Sequence, residues 1–321
     1  MTAGAAAREL PRRTRHYVGP VYDSARWDSF RPRPGDIVVA TPSKCGTTWT
    51  QMLCALLVHQ TPELPLPLTR LSRWLDRHTD PIESLIAEFE AQPWRRIVKT
   101  HTPLDGIPYF EQCSYVVCGR DPRDAFLSML DHVANVSEES AADVMRRIGG
   151  AANFEVQGLL RDPDATFAIW MTVGEQPWMR DGAIIGSVLD MVHSYWPFRS
   201  LPNLHLLHYA DLVSDLDGEM RRLSAFLGIP VDERRWPDLV RAARFDAMKQ
   251  RADDTAPGAH LGEWRTARDF FRQGRMQAWR EALGPQSLAL YERAMVERYE
   301  PPFRRWIEGG SKAAGDALAR G

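Results

Sequence analysis

The sequence predicts an α/β protein, a single domain with a central parallel β-sheet flanked by helices. Short apolar runs typical of buried parallel strands stand at residues 37–40, 97–98, 114–118 and 204–209. Apolar residues at helical spacing follow the first run, at Trp49, Met52, Leu53, Leu56 and Leu57. A chain of 321 residues, 44% of them hydrophobic, is long enough for one large α/β domain or two small ones.

Composition narrows the class of protein. The net charge of −2, from 40 basic and 42 acidic residues, argues against a general nucleic-acid binder but allows a local basic pocket. The four cysteines form no C-x-x-C pair, which favours a reducing compartment over a disulfide framework. No apolar stretch has the length of a signal core or a membrane span. We therefore expect a cytoplasmic protein without a nucleic-acid partner.

The loop after the first strand, T-P-S-K-C-G-T-T-W from Thr41 to Trp49, has the features of an anion cradle. A strand–loop–helix unit points backbone N–H groups and the positive end of the helix at one spot. Gly46 lets the backbone approach an anion, Lys44 adds a positive charge, and the hydroxyls of Thr47 and Thr48 can donate. This unit is P-loop-like, although an ordinary strand–helix turn remains the alternative for one motif.

The loop is not that of a nucleoside-triphosphate P-loop, where lysine follows the second glycine; here Lys44 precedes Gly46. It resembles the K-S-G-T-T-W loop of the cytosolic sulfotransferases, from which it differs only at Cys45. That loop holds the 5′-phosphate of the sulfuryl donor 3′-phosphoadenosine 5′-phosphosulfate (PAPS). The resemblance implies donor contacts along the loop, at Lys44, Cys45, Gly46, Thr47, Thr48 and Trp49.

The second strand leads into I-V-K-T-H-T-P, and Pro103 should end it. Polar side chains at the carboxyl end of a parallel strand lie where α/β sheets bind ligands, which favours a catalytic His101 over a structural one. The segment resembles the family's K-T-H-L-P motif. The resemblance implies that His101 is the catalytic base and that Lys99 contacts the donor.

The third strand ends at G-R-D-P-R-D, where Asp121 suits an N-cap and Pro122 the first helical position, so a helix should begin here. Arg120 at the strand end and Ser128 on the helix can converge on one phosphate. The pattern resembles the family's R-N-x-K-D-x-x-x-S segment, whose Arg and Ser bind the 3′-phosphate of the donor. Taken alone, Arg120 and Arg123 would be interpreted as surface charges, because most arginines are exposed.

Three further segments resemble the family's adenine and 3′-phosphate contacts. Tyr209, the last residue of the predicted fourth strand, matches a tyrosine near the donor adenine. The segment R-F-D-A-M-K resembles S-F-x-x-M-K and implies that Phe245, with Trp49, clamps the base; Met248 belongs to the same segment, and Ala243 stands where the family has Thr. F-F-R-Q-G resembles the F-F-R-K-G loop that closes over the 3′-phosphate. Its members are Arg272, Gln273, which replaces Lys, and Gly274, with Arg275 partly restoring the charge.

The resemblance runs through one domain, residues 17–306, with a helical insertion at about 136–183 near the acceptor site and flexible tails at 1–16 and 308–321. It implies transfer of the sulfuryl group from PAPS to a hydroxyl or amine of a small molecule, a phenol or alcohol. PAP (3′,5′-bisphosphoadenosine) is then the product, and no metal is needed. Lys44 and Lys99 would stabilise charge on the bridging oxygen while His101 takes the acceptor's proton.

Alternatives remain open at this point. The family's dimer motif K-x-x-x-T-V-x-x-x-E is absent near Arg280, so a homo-oligomer of the usual kind is not predicted. A nucleotide-dependent kinase is disfavoured by the lysine order, and a Golgi-type carbohydrate sulfotransferase by the lack of a membrane anchor. A nucleotide-binding protein with impaired catalysis stays open because Cys45, Ala243 and Gln273 depart from the family.

Local patterns also predict elements away from these motifs. A short helix is expected to start within 71–75, and helices are expected over 184–199 and 218–227. Residues 210–212 should begin a turn. The polar segment 137–140 should cap a helix that continues over 144–150 until Gly149 and Gly150 break it.

Overall fold

Four parallel strands form the sheet at the centre of the computed structural model, which describes residues 9–19, 22–78, 80–147, 161–172, 188–259, 262–271 and 276–315. The strands are β1 (Ile37–Ala40), β2 (Ile97–Thr100), β3 (Ser114–Gly119) and β4 (Leu204–His208). They lie in the order β2-β1-β3-β4, and all three pairings are parallel. The predicted α/β class, with its parallel sheet, is confirmed.

Helices cover both faces of this sheet. Those before β4 are α1 (Thr47–His59), α2 (Leu68–Leu71), α3 (Ile82–Glu90), α4 (Pro122–Asn135), α5 (Glu138–Arg147), α6 (Pro163–Thr172) and α7 (Val188–Tyr195). Those after it are α8 (Tyr209–Ser214), α9 (Leu216–Leu227), α10 (Trp236–Ala242), α11 (Phe245–Gln250), α12 (Ala252–Thr255), α13 (Trp279–Ala282), α14 (Pro285–Arg298), α15 (Pro301–Gly309) and α16 (Ser311–Ala314).

Alternate residues of each strand enter two separate hydrophobic cores, as the two-residue repeat of a strand requires. Val38 and Val117 belong to the core formed with α4, α6, α7, α14 and α15. Val39 and Val116 belong to the core formed with α1, α9, α10 and α11. Because both faces of the sheet are covered, the strands are continuous apolar runs, and this pattern allowed them to be predicted from the sequence.

The strand order places a switch point between β1 and β3. The chain leaves β1 toward β2 on one side and then returns to β3 on the other side. In open α/β sheets, ligands bind beyond the carboxyl ends of the strands at such a point. The loop 41–46 after β1 and Arg120 after β3 meet there, since Arg120 Nη1 donates to the Lys44 carbonyl over 2.9 Å.

Several predicted element boundaries were wrong, and tertiary contacts explain why. Residues 73–75 do not form a helix; Trp74 pairs with Lys99 as a parallel bridge, so this segment runs along the edge of β2. The expected turn at 210–212 lies within helix α8. Helix α9 begins at Leu216, two residues early, because the Asp215 side chain accepts from the Gly218 N–H over 2.9 Å.

The helix predicted over 184–199 is shorter in the structure. It runs as α7 from Val188 and continues as a 3-10 turn over Trp196–Phe198, while residues 184–187 lie outside the described part. The cap of α5 lies in the predicted segment 137–140: the Ser137 hydroxyl accepts from the Ser140 N–H over 3.3 Å. The predicted break at residues 149–150 lies outside the described ranges.

The region predicted as a helical insertion, about 136–183, contains α5 and α6 in its described part. Phe167 and Trp170 of α6 pack against Phe126 of α4, with ring centres 5.0 and 5.5 Å apart. Residues 148–160 and 173–183 lie outside the described part, so the expected position near an acceptor stays a prediction. Described α6 is part of the hydrophobic core.

Three other expectations can be compared with the fold. The N–H groups of Thr14 and Arg15 both donate to the Asp105 carbonyl, which attaches the C-terminal end of the segment predicted to be a flexible tail. Cysteines 45, 54, 113 and 118 are all buried and free. No helix within the described ranges combines the length and apolar character that crossing a bilayer requires.

Candidate functional site

Two residues with left-handed backbone conformations give the loop between β1 and α1 its shape. Lys44 has a φ of 65° and Gly46 a φ of 90°. A Cβ at position 46 would lie 3.2 Å from Tyr209 Cδ2 and 3.4 Å from Cys118 Sγ. Glycine is therefore required both for the backbone conformation and for the close approach of Tyr209.

The side chains of the loop divide between the core and the ligand side. Thr47 and Thr48 open α1 and are each 8% exposed, and Thr47 Oγ1 lies 2.6 Å from Thr41 Oγ1. The Cys45 thiol is fully buried, and burial raises its pKa to about 12. Its N–H donates to the Pro42 carbonyl over 3.3 Å, so the Cys45 backbone closes the turn over residues 42–45.

Three cations form what we call the basic cluster: Lys44, Lys99 and Arg120. Burial, with Arg120 and Lys99 nearby, lowers the pKa of Lys44 to about 7. Burial and the Arg77 charge lower the pKa of Lys99 to about 8. Lysines with lowered pKa values at the carboxyl end of a sheet are typical of a site that binds an anion, because a bound anion favours the charged ammonium.

Aromatic rings line the basic cluster. Lys44 Nζ lies 4.4 Å from the Phe270 ring centre, and Lys99 Nζ lies 4.5 Å from that of Trp74. Trp264 packs against Phe270 at 5.3 Å. We call Trp74, Trp264 and Phe270 the aromatic wall. The loop 41–46 is called the donor loop below, after the nucleotide donor expected there. On its side of the cluster, the Arg120 guanidinium lies 4.2 Å from the Tyr209 ring centre.

His101 follows β2 directly, and its hydrogen bond defines its tautomer. Nδ1 lies 2.5 Å from the Thr41 carbonyl oxygen, which can only accept, so Nδ1 carries the proton. Burial and the Lys99 charge hold the pKa of His101 well below its usual range, so the imidazole is neutral near pH 7. Its Nε2 therefore presents a lone pair, as a general base requires. Trp74 packs edge-on against the ring at 4.7 Å.

A buried carboxylate that the sequence analysis missed holds the segment around His101. Asp76 is fully buried, and Thr100 Oγ1 and Thr102 Oγ1 each donate to its Oδ2 over 2.5 Å. Trp27 Nε1 donates to the same oxygen over 3.3 Å. Because the two threonines flank His101, Asp76 fixes the backbone on both sides of His101. The T-H-T sequence shows the two threonine hydroxyls, but no local pattern indicates that they bind Asp76.

A second histidine at the site was also missed. His132 lies on α4, one turn after Ser128, and its Nδ1 is 3.3 Å from Lys44 Nζ. Its ring packs edge-on against Trp264 at 4.7 Å and Phe270 at 6.1 Å. Burial, Lys44, Lys99 and His101 lower its pKa well below the usual value. A histidine at helical spacing from the predicted Ser128 was the available signal.

The residues predicted for the 3′-phosphate are partly brought together. Helix α4 begins where predicted, because the Asp121 side chain accepts from the Arg123 N–H over 3.0 Å and Pro122 opens the helix. Arg120 turns back to the donor loop, and Ser128 is half-buried on α4. Their convergence on one phosphate stays a prediction. Arg272, Gln273 and Gly274, and with them Arg275, lie outside the described residues.

The residues predicted for adenine do cluster. The Trp49 ring lies 5.5 Å from Tyr209 and 6.5 Å from Phe245, edge-on in both cases. Trp49 Nε1 donates to the Ala243 carbonyl over 2.8 Å, so position 243 contributes through its backbone. Met248 is only 2% exposed and belongs to the hydrophobic core beneath this cluster. The clamp on adenine itself stays a prediction.

Comparison with known proteins gives three kinds of match. A family model described as a sulfotransferase domain matches residues 34–300. A glycolipid sulfotransferase of Mycobacterium bovis is 38% identical over 310 residues, which cover 92% of this chain and 94% of the relative. Cytosolic sulfotransferase 1 of Danio rerio is 27% identical over 262 residues, 78% of each chain.

Solved structures match the fold. A mouse sulfotransferase complexed with PAP aligns with a TM-score of 0.63 at 20% identity and covers 88% of this chain and 91% of its own. Retinol dehydratase in complex with androsterone and PAP aligns with a TM-score of 0.64 at 20% identity, over 86% of each chain. At this identity the alignments support the shared α/β fold.

Proposed function

The chain belongs to the sulfotransferase family and is a sulfotransferase; from that premise we propose that its donor is PAPS and its acceptor an un-ionised alcohol of a glycolipid. The observation that carries the proposal is the basic cluster at the switch point of the sheet, with the lone pair of His101 beside it. Family membership decides against the nucleotide-dependent kinase that the donor loop alone left open.

The site suits a donor with two phosphates. Lys44 with Thr47 and Thr48 forms one cationic, hydroxyl-lined end, and Arg120 lies beside it at the end of β3. Arginine and helix N-termini are the groups that proteins use for phosphate. The two aligned structures contain PAP, which supports the same nucleotide here. The 5′-phosphate is assigned to the donor loop and the 3′-phosphate to Arg120 and Ser128.

The chemistry assigned to the chain's own residues is proton transfer and charge stabilisation. The donor supplies the sulfuryl group, whose bond to the bridging oxygen breaks as the bond to the acceptor oxygen forms. His101 Nε2 takes the acceptor's proton, and Nδ1 keeps its own proton on the Thr41 carbonyl. Lys44 and Lys99 stabilise the charge that develops on the bridging oxygen, a role analogous to that of cations in phosphoryl transfer.

The acceptor assignment rests on two supports. The Mycobacterium bovis relative carries the name glycolipid sulfotransferase and matches this chain over 92% of its length. In the aromatic wall, Trp74 packs against His101 and Trp264 packs against His132, and flat rings pack well against the C–H faces of sugars. An alcohol stays protonated at neutral pH and needs a base, whereas an ionised phenol does not.

The donor is tested by binding. Arg120→Ala should weaken PAP by about 10-fold or more, the loss expected for a charge-assisted hydrogen bond, and weaken adenosine 5′-phosphate far less. Arg234→Ala is the matched control, because this arginine is 90% exposed and pairs with Asp232. Equal weakening of both nucleotides by calorimetry would show that Arg120 does not read the 3′-phosphate.

The acceptor is tested by turnover with PAPS on a panel of a glycolipid, a simple alcohol and a phenol. We expect the glycolipid to give the highest kcat/KM at neutral pH. A panel in which only phenols react would overturn the alcohol assignment while leaving the donor assignment intact.

A further inference from the structure

His132 is a half-buried titratable side chain that the chemistry above does not use. It approaches the reactive lysine from the side of α4, with Nδ1 3.3 Å from Lys44 Nζ. The ring is fixed by edge-on contacts with Trp264 at 4.7 Å and Phe270 at 6.1 Å. Lys44 is thus held between an imidazole and the face of Phe270, 4.4 Å from its ring centre.

Which group donates depends on the charge of Lys44. When Lys44 is charged, its ammonium has three N–H donors and no acceptor, so Nδ1 of His132 accepts. In that state the proton of the neutral imidazole lies on Nε2. His101 has the opposite arrangement, with its proton on Nδ1. The two half-buried histidines thus have different roles: His101 presents Nε2 as a base, and His132 uses Nδ1 to hold an ammonium.

We propose that His132 is a positioning residue for sulfuryl transfer, which holds the Lys44 ammonium charged and aimed at the bridging oxygen of the donor. The inference rests on the proposed function. Lys44 carries a left-handed backbone and a long side chain, so its ammonium needs a fixed partner to keep one direction. The hydrogen bond to Nδ1 supplies that partner, and Trp264 fixes the partner in turn.

The surrounding charges make this bond consequential. Lys44 faces Arg120 after β3, Lys99 on β2, Asp131 on α4 and Cys45 in its own loop. Burial and the two cations favour the uncharged amine, and only a charged ammonium can stabilise an oxygen that gains negative charge. A neutral acceptor at Nδ1 favours the ammonium instead.

The test uses two substitutions of similar size. His132→Leu fills the space without an acceptor, and His132→Asn places an amide oxygen near the position of Nδ1. His132→Leu should lower kcat with PAPS by about 10- to 100-fold, as expected for a hydrogen bond to a charged group. His132→Asn should recover most of that loss. His59→Leu is the control, since His59 packs edge-on against Trp94 at 4.9 Å and takes no part in the site.

A second readout is independent of turnover. The pH above which PAP affinity falls should move to lower values in His132→Leu and return toward wild type in His132→Asn, because the acceptor favours the ammonium of Lys44. Wild-type kcat and an unchanged affinity profile in a folded His132→Leu protein would overturn the proposal. Loss in His132→Leu without recovery in His132→Asn would also overturn it, in favour of a packing role. Failure of the wild-type chain to bind PAP would instead refute the proposed donor.

Discussion

The affinity for PAP should fall steeply between pH 7 and 9, and Lys44 should be the main cause. The pKa of Lys44 is lowered to about 7 in the free protein by burial and by Arg120 and Lys99. Bound phosphates favour the ammonium, so the pKa of Lys44 rises in the complex. Well below pH 7, Lys44 is already charged, so PAP binding requires no proton uptake. Above pH 7 each binding event takes up a proton, so affinity falls as the pH rises.

The magnitude follows from the free pKa. If the pKa in the complex exceeds 9, the charged fraction of free Lys44 drops about 50-fold between pH 7 and 9, and Kd rises by the same factor. The phosphates do not interfere, because their second pKa is about 6. Lys99, with a pKa lowered to about 8, adds at most about another 10-fold at pH 9 if it too is charged in the complex.

The assay is calorimetric titration of PAP in buffers with different ionisation enthalpies, which counts the protons taken up. Lys44→Arg is the matched variant, since arginine stays charged throughout this range. Wild type should take up close to one more proton than Lys44→Arg at pH 8.5. Identical pH profiles for the two proteins would refute the reasoning, because Lys44 would then have the same charge in both states.

Three other outcomes are expected. His101→Ala should lower kcat by about 10² to 10⁴ on an alcohol while leaving the Kd for PAP nearly unchanged; a folded variant with wild-type kcat on such an acceptor would exclude His101 as the base. Gly46→Ala should destabilise the protein by about 1–2 kcal/mol in urea unfolding, from left-handed strain. Gly46→Ala should also weaken PAP binding. Gly228→Ala is the control, because its φ is 63° and no atom lies within 4 Å of a new Cβ, so it should lose stability but keep PAP affinity. Equal PAP binding in both variants would contradict the crowding by Tyr209. Turnover should survive EDTA, because Lys44 and Lys99 provide the positive charge; loss restored by magnesium would contradict this.

The sequence predicted the elements around the candidate site wherever those elements depend on local geometry. The donor loop combines Gly46 with the start of α1, and its neighbours in sequence are its neighbours in space. Arg120 was placed correctly because Asp121 and Pro122 mark the start of α4. Buried parallel strands could be read because both of their faces are apolar, and the family's motifs fall at their carboxyl ends.

What the sequence could not carry are contacts between distant segments. Asp76 reaches Thr100 and Thr102 from another segment, and no local pattern distinguishes it from a surface carboxylate. His132 meets Lys44 across 88 positions of the chain, so its role depends on how α4 packs. Trp74 was assigned to a helix because its sequence neighbours are compatible with one, but pairing with β2 decides its conformation.

The pairing of Trp74 with β2 has a consequence for how this enzyme can change over evolution. β2 is an outer strand, and the N–H of Lys99 and the N–H of Leu75 supply the bonds that cover its edge, to the carbonyls of Arg73 and Lys99. Those bonds use backbone atoms alone, whereas the side chain of Trp74 faces His101. Residue 74 can therefore be exchanged without opening the sheet to another chain. If Trp74 contacts the acceptor, as the proposed function has it, acceptor preference can change at this position while the backbone bonds that cover the sheet edge are kept.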